Sequence, residues 1–229
     1  MRRPAVALAA LLLTAVAGCT SAATHGSADH ANPGDAASVP SSGKALAVGE
    51  GPKGSYTVQA QPAPGSCHFR YEQGQPLPDP TCTPGAVSPA VTQANLSRTI
   101  CRKGGYTSDI RPPASITGRE KKANAKSYGY TGSLADAEYD HLISLQLGGD
   151  PNDPRNLWVE PPSPGHKHGQ GVNNPKDSVE THLHTAICAG KVTLAAAQQA
   201  IATDWTTAEQ RLGLGQASSL PSVDSSPVE

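Results

Sequence analysis

Cys67, Cys82, Cys101 and Cys188 tie this chain into a small cross-linked fold once it leaves a reducing compartment, and its N-terminus directs it out. Arg2 and Arg3 precede Ala5 to Ala17, an apolar run of small residues and leucines too short to span a bilayer as a mature helix, which closes on Val16-Ala17-Gly18-Cys19. That is the layout of an export signal. In an oxidising environment an even set of cysteines reads as disulfides, and four of them allow three connectivities. The spacing favours Cys67 with Cys82, closing the turn-rich loop at 73–80, and Cys101 with Cys188, joining an early helix to a late one. A zinc site is disfavoured because no close pair such as Cys-x-x-Cys is present.

A cysteine directly after small residues resembles the lipobox of bacterial lipoproteins. The resemblance implies that residues 1–19 are a lipoprotein signal peptide, that Cys19 becomes the lipidated first residue, and that the protein is exported to the outer face of the cell membrane through that anchor, or secreted. Residues 20–54 are rich in Ala, Ser, Gly, Pro, Asp and His with no apolar period, so they cannot bury enough surface to offset chain entropy. They read as a tether with an r.m.s. reach of about 30 Å. His25 and His30 are solvated residues of it. Residues 214–229 are again Ser/Pro/Ala coil, which leaves 55–213 as one domain, about 150 residues with room for one sizeable core.

Within that domain, 55–60 and 67–71 have strand-like β-branched and aromatic content. Ser88-Pro89 begins a helix that runs to Cys101 and stops at Gly104-Gly105, and 118–128 reads as another. Asn174-Pro175 opens a helix to Cys188, with Asn174 as N-cap and Asp177 near the positive end. On it Val179, Leu183 and Ile187 share one side, while Asp177, Glu180 and His184 form a polar stripe. The last helix, 193–208, places Leu194, Ala197, Ile201, Trp205 and Ala208 on one core face. Helices and short strands in this mixture give an α+β fold.

The chain carries 18 basic and 19 acidic residues, so its net charge of −1 argues against a dedicated high-affinity nucleic-acid binder. The signs are nevertheless segregated. From 98 to 126, Arg98, Arg102, Lys103, Arg111, Arg119, Lys121, Lys122 and Lys126 face only Asp109 and Glu120, a net of +6. From 127 to 190, Arg155, Lys167 and Lys176 are set against Asp136, Glu138, Asp140, Asp150, Asp153, Glu160, Asp177 and Glu180, a net of −5. A basic cradle for phosphate beside an acidic metal pocket has this pattern, and so does a charged helix paired with acidic neighbours of its own fold.

Chemistry concentrates at 139–158. Leu142, Ile143, Leu145 and Leu147 supply burial, Gly148-Gly149 turns the backbone, and Asp140-His141 stands at the start of the run, a carboxylate beside an imidazole on a strand that enters a loop. Asn156 follows, then a second short apolar segment, Leu157-Trp158-Val159, then the helix to Cys188. This order resembles the HNH, or His-Me finger, nucleases, whose fold is two strands and a helix around one metal ion. It also resembles a group of secreted actinobacterial proteins with Asp-His-Leu-Ile, Gly-Gly and Asn-Leu-Trp. The resemblance reaches from about Pro80 to Trp205 and is specific at 139–160.

The resemblance implies a small disulfide-tied α+β domain containing a ββα-metal (HNH-like) finger packed with additional helices, and a metal-dependent endonuclease hydrolysing phosphodiester bonds of DNA or RNA. His141 would be the general base and Asp140 a ligand of Mg²⁺, Mn²⁺ or Zn²⁺, while Asn156 would fix His141 through a hydrogen bond or stabilise the loop. The helix would add a ligand, Asp177 first, then Glu180, then His184, with Arg111, Lys121 and Lys122 on the nucleic acid. The sequence departs from the family in the helix, where its usual His or Asn has no clear match, and in the long loop from Glu160 to Asn173. His166 and His168 in that loop read as solvated. The alternative function is a non-catalytic cell-surface binding module on a degenerate HNH-like scaffold. A serine hydrolase lacks its Gly-x-Ser-x-Gly elbow.

Overall fold

The computed structural model describes residues 45–169, 171–172 and 174–215, all within a compact unit spanning Asp35–Glu229. The leader with Cys19, the tether to residue 44 and the tail from 216 lie outside the described residues. Among those described, no helix is long and apolar enough to cross a membrane.

The ordered domain starts before residue 55. Ala47–Val48 (β1) pairs in parallel with Ala86–Val87 (β4), Leu46 packs on the core, and Gly51 N–H donates to Asp150 Oδ2 at 2.7 Å. Two strand residues are too few to register as a pattern, so backbone bonds hold a segment whose composition reads as tether. The 55–60 segment forms no strand; Gln59 N–H bonds Glu120 Oε1 at 2.7 Å and Tyr56 donates to Ile110 O at 2.6 Å. Arg70–Glu72 (β2) and Gln75–Leu77 (β3) form a hairpin, turned by Gln73 and Gly74, both at positive φ, which suits a two-residue turn.

The helix expected from Ser88 is a short 3-10 turn, Gln93–Arg98, because Asn95 bonds back to Thr92 N–H and Ala90 O and leaves helical geometry itself. Tyr106–Asp109 (α1) is one turn, and Ala114–Ser127 (α2) follows the two prolines. Lys176–Cys188 (α3) starts within two residues of expectation, although Asn174 reaches Glu138 with its side chain instead of capping. Leu194–Thr203 (α4) is capped by Thr193, whose Oγ1 accepts from Ala196 N–H. The expected 193–208 helix breaks at Asp204, whose carboxylate caps a new turn leading into Ala208–Arg211 (α5). Its apolar face survives the break: Leu194, Ala197, Ile201, Trp205 and Ala208 are all buried with Leu183, Ile187, Ile143 and Leu147.

Both disulfides form as the spacing favours, Cys67–Cys82 and Cys101–Cys188. A second core gathers Cys67, Trp158, Val159 and Tyr128, with Phe69 stacked 4.7 Å from Tyr128. What these two cores position is an antiparallel pair, Glu138–His141 (β5) against Leu157–Glu160 (β6), in the register Glu138↔Glu160, Asp140↔Trp158 and His141↔Leu157. The intervening loop doubles back tightly: a Cβ on Gly149 would lie 1.7 Å from the Ile143 carbonyl oxygen. Glycine is therefore required there by close backbone approach. The β4 segment braces the same loop through Ser88 N–H to Gly148 O and Asp150 N–H to Ala86 O, each 2.9 Å.

Candidate functional site

Residues opposite one another in an antiparallel pair share a face, and successive residues alternate. Glu138, Asp140 and Glu160 therefore stand on one side of β5–β6, and His141 on the other. The side chains obey this. Asp140 meets α3, whereas His141 meets Pro151 in the loop.

On the acidic side the centre is a residue that sequence reading passed over. Lys176, 1 % exposed, sets its ammonium 2.6 Å from Asp140 Oδ2 and 2.9 Å from the His141 carbonyl oxygen, and bonds Glu180 Oε1 one turn along α3. Gln146 reaches the other Glu180 oxygen, and Asn174 reaches Glu138. Burial pushes Glu138 up to about 7, reinforced by the Asp140 charge. Burial also pushes Glu180 to about 7 against the pull of Lys176, and lifts Glu160 well above the usual carboxylate range with Asp140 beside it. Burial pushes Asp140 the same way, yet the Lys176 charge and bond hold it below that range. Lys176 in turn is desolvated but held charged by Asp140, Glu180 and Glu160. The cluster thus shares one firm cation among Glu138, Asp140, Glu160 and Glu180.

Among the three helix candidates only Glu180 reaches the cluster. Asp177 is exposed and acts through its charge. His184 bonds the Ile100 carbonyl at 2.9 Å, at the Cys101–Cys188 end of α3. A divalent ion bound to Asp140 and Glu180 would have to share these oxygens with the Lys176 ammonium. At roughly 4 Å, a doubly charged ion and a unit charge repel by about 8 kcal/mol at an effective dielectric of about 20. The residues present do not fit the metal that the resemblance implies at Asp140. A separate group, Cys101, His184 and Cys188, brings three ligand atoms within 4.8 Å of one another and could hold a metal ion. With the bridge closed neither sulfur is a thiolate, so ligation there belongs to the reduced protein.

On the other side, His141 is 6 % exposed and its Nε2 lies 3.0 Å from the Pro151 carbonyl oxygen. A carbonyl only accepts, so the neutral ring carries its proton on Nε2 and keeps the lone pair on Nδ1. Nδ1 has no hydrogen-bond partner among the described residues, and it is not one of the polar atoms sealed from solvent without one. Burial lowers the His141 pKa below 6.5, and the Arg111 and Lys176 charges lower it further, so the ring is neutral at neutral pH.

Asn156, fully buried, makes its side-chain hydrogen bonds to the backbone and none to the His141 ring. Its Oδ1 accepts from Ile143 N–H at 3.0 Å and Ala86 N–H at 3.4 Å; its Nδ2 donates to the carbonyls of Ile143 and Asp150, each at 3.0 Å. The loop-stabilising role is the one its contacts describe, and the carbonyl that orients His141 belongs to the residue after Asp150. Of the three expected phosphate contacts, Lys121 is committed inward, donating to Leu134 O at 2.6 Å and Ala137 O at 2.7 Å. Arg111 and Lys122 are exposed, and Arg111 is the one whose charge reaches His141. His166 and His168 are not free in solution; both bond the buried Asp136 carboxylate, pinning the 161–169 loop.

Lys176 and Glu180 had a readable signal, an i,i+4 pair of opposite charge one turn into the helix, and Glu160 stands two residues after Trp158 on a strand. Comparison with family models, curated proteins and solved structures finds no match for this chain.

Proposed function

We propose that the β5–β6 loop is a phosphodiester-cleaving site of nuclease type, carried on an HNH-like ββα scaffold in an exported protein whose substrate is nucleic acid. The strand, loop, strand and helix order supports the scaffold. The observation that carries the chemistry is the state of His141: a neutral imidazole with Nε2–H fixed on the Pro151 carbonyl and an unpartnered Nδ1. Such a ring can take the proton of a water attacking phosphorus, and the Pro151 carbonyl then stabilises the imidazolium that forms. The exposed Arg111 guanidinium, near enough to depress the His141 pKa, supplies positive charge for a phosphate at the same place. Lys176 holds the end of β5 through the His141 carbonyl, which fixes the backbone that carries the ring.

The test is cleavage of plasmid DNA and of RNA by the full chain with its bridges intact, beside His141→Ala. The variant is expected to fold and to lose about 10²-fold to 10⁴-fold in rate. Wild-type protein that cuts neither substrate, or a variant that cuts as well as wild type, would refute the assignment. The Lys176 ion pairs also favour a second reading, a binding module on a scaffold that has lost its chemistry, and the same assay separates the two.

A further inference from the structure

We infer that Lys176 is the resident cation of this site: its ammonium stands at the point a divalent ion would need, so the Asp140–Glu180 cluster is closed to divalent metal, and chemistry at His141 runs without one. The second half rests on the proposed function; the first stands on geometry alone. Each of the three ammonium protons has an acceptor, two on β5 and one on α3: Asp140 Oδ2, the His141 carbonyl and Glu180 Oε1. Lys176 and Glu180 are one helical turn apart, so α3 delivers both a cation and its counter-charge to Asp140 from one face. A magnesium-sized ion demands near-ideal octahedral oxygen ligation at about 2.0–2.1 Å. Here Asp140 Oδ2, Glu180 Oε1 and the His141 carbonyl are already taken by the ammonium. The lysine is also buried, 1 % exposed. Displacement by a metal ion would strip this buried ammonium of all three acceptors and leave its charge unpaired, which opposes a weakly held ion.

The inference gives Lys176 a role distinct from that of a merely structural ion pair. Removing the ammonium while keeping the carboxylates should open a cation site that the wild-type protein lacks. Calorimetric titration of MnCl₂ and MgCl₂ into the oxidised full chain, with the Cys101–Cys188 bridge closed, should give no saturable one-to-one binding below about millimolar concentration. Lys176→Gln should gain at least tenfold in Mn²⁺ affinity, and the gain should vanish in Lys176→Gln combined with Asp140→Asn. If Lys176→Gln folds only when Mn²⁺ is present, by circular dichroism, the inference is supported in the same sense. A Lys176→Gln protein that folds and binds no better than wild type overturns it. So does tight one-to-one binding to wild type that Asp140→Asn abolishes, and that wild-type titration decides the matter if the variant never folds. Cleavage by wild type should also be unchanged by chelator. Absence of any cleavage would sink the proposed function while leaving the metal titrations to decide this inference separately.

Discussion

Replacing Asn156 tests whether the loop behind His141 is held by one side chain. Asn156→Ala removes the acceptor for Ile143 N–H and Ala86 N–H, and the donor for the carbonyls of Ile143 and Asp150, all of them at a fully buried position. An unsatisfied buried backbone group costs about 1–3 kcal/mol. The Ile143 N–H counts in full, the 3.4 Å bond from Ala86 counts little, and two carbonyls lose one partner each. The sum is about 3–5 kcal/mol, which at about 2–4 °C per kcal/mol for a domain of this size lowers Tm by roughly 6–20 °C. Denaturant titration of the oxidised protein measures it. Asn156→Asp is the sharper control, because it is nearly isosteric and keeps an acceptor for Ile143 N–H but turns lone pairs onto two carbonyl oxygens. It should cost at least as much as alanine at pH 7. Protonation of the new carboxyl restores a donor, so its folded pKa is raised and stability should return as pH falls. A loss under 1 kcal/mol for alanine, or an aspartate variant close to wild type at pH 7, would show that the loop stands without this residue.

The two bridges should contribute unequally, because their closed loops differ. The sequence separations of 15 and 87 correspond, in a chain-entropy view, to about 3 kcal/mol for Cys67–Cys82 and about 4.6 kcal/mol for Cys101–Cys188, read by denaturation of the paired Cys→Ser variants, and native protein should show no free thiol in the domain. Glu138 and Glu180, raised from 4.5 to about 7, bind protons more tightly folded than unfolded, so their contribution is complete below pH about 4.5 and fades as pH rises through about 7. Glu138→Gln should therefore flatten the loss of stability between pH 5 and pH 7.5 measured by urea titration, and an unchanged slope would refute the placement of that carboxyl. His141 runs the other way: its folded pKa lies below 6.5, so its contribution is lost as pH falls from 6.5 toward the folded value, and His141→Ala should remove that acid-side decline.

The parts of the fold that could be read from the chain are those fixed by period and by covalent arithmetic. Leu194, Ala197, Ile201, Trp205 and Ala208 recur at helical spacing and are buried together even though Asp204 interrupts the helix, since burial depends on the face and not on an unbroken hydrogen-bond ladder. The disulfides followed from cysteine parity and loop length. Segments fixed by single long-range bonds left no such pattern. Ala47–Val48 is a strand because Ala86–Val87 is there to pair with it, and the 88–101 helix fails because one side chain, Asn95, competes for the backbone.

The site divides along the same line. Strand alternation alone separates Asp140 from His141, and a sequence that writes them side by side invites a reading in which they share one ion. The structure sends each to a different partner, Asp140 to α3 and His141 to Pro151. Lys176 was passed over for a related reason. Beside Asn174-Pro175 and Asp177 it reads as part of a helix start, where capping and dipole arguments concern the backbone and are silent on a long side chain folded inward. Only the register Glu138↔Glu160, which adds Glu160 to Glu138 and Asp140 on one face, makes an inward ammonium necessary, since that much negative charge beside a packed core must acquire either protons or a cation. Burial raises Glu138, Glu160 and Glu180 toward protonation, and Asp140 keeps its charge because the lysine reaches it.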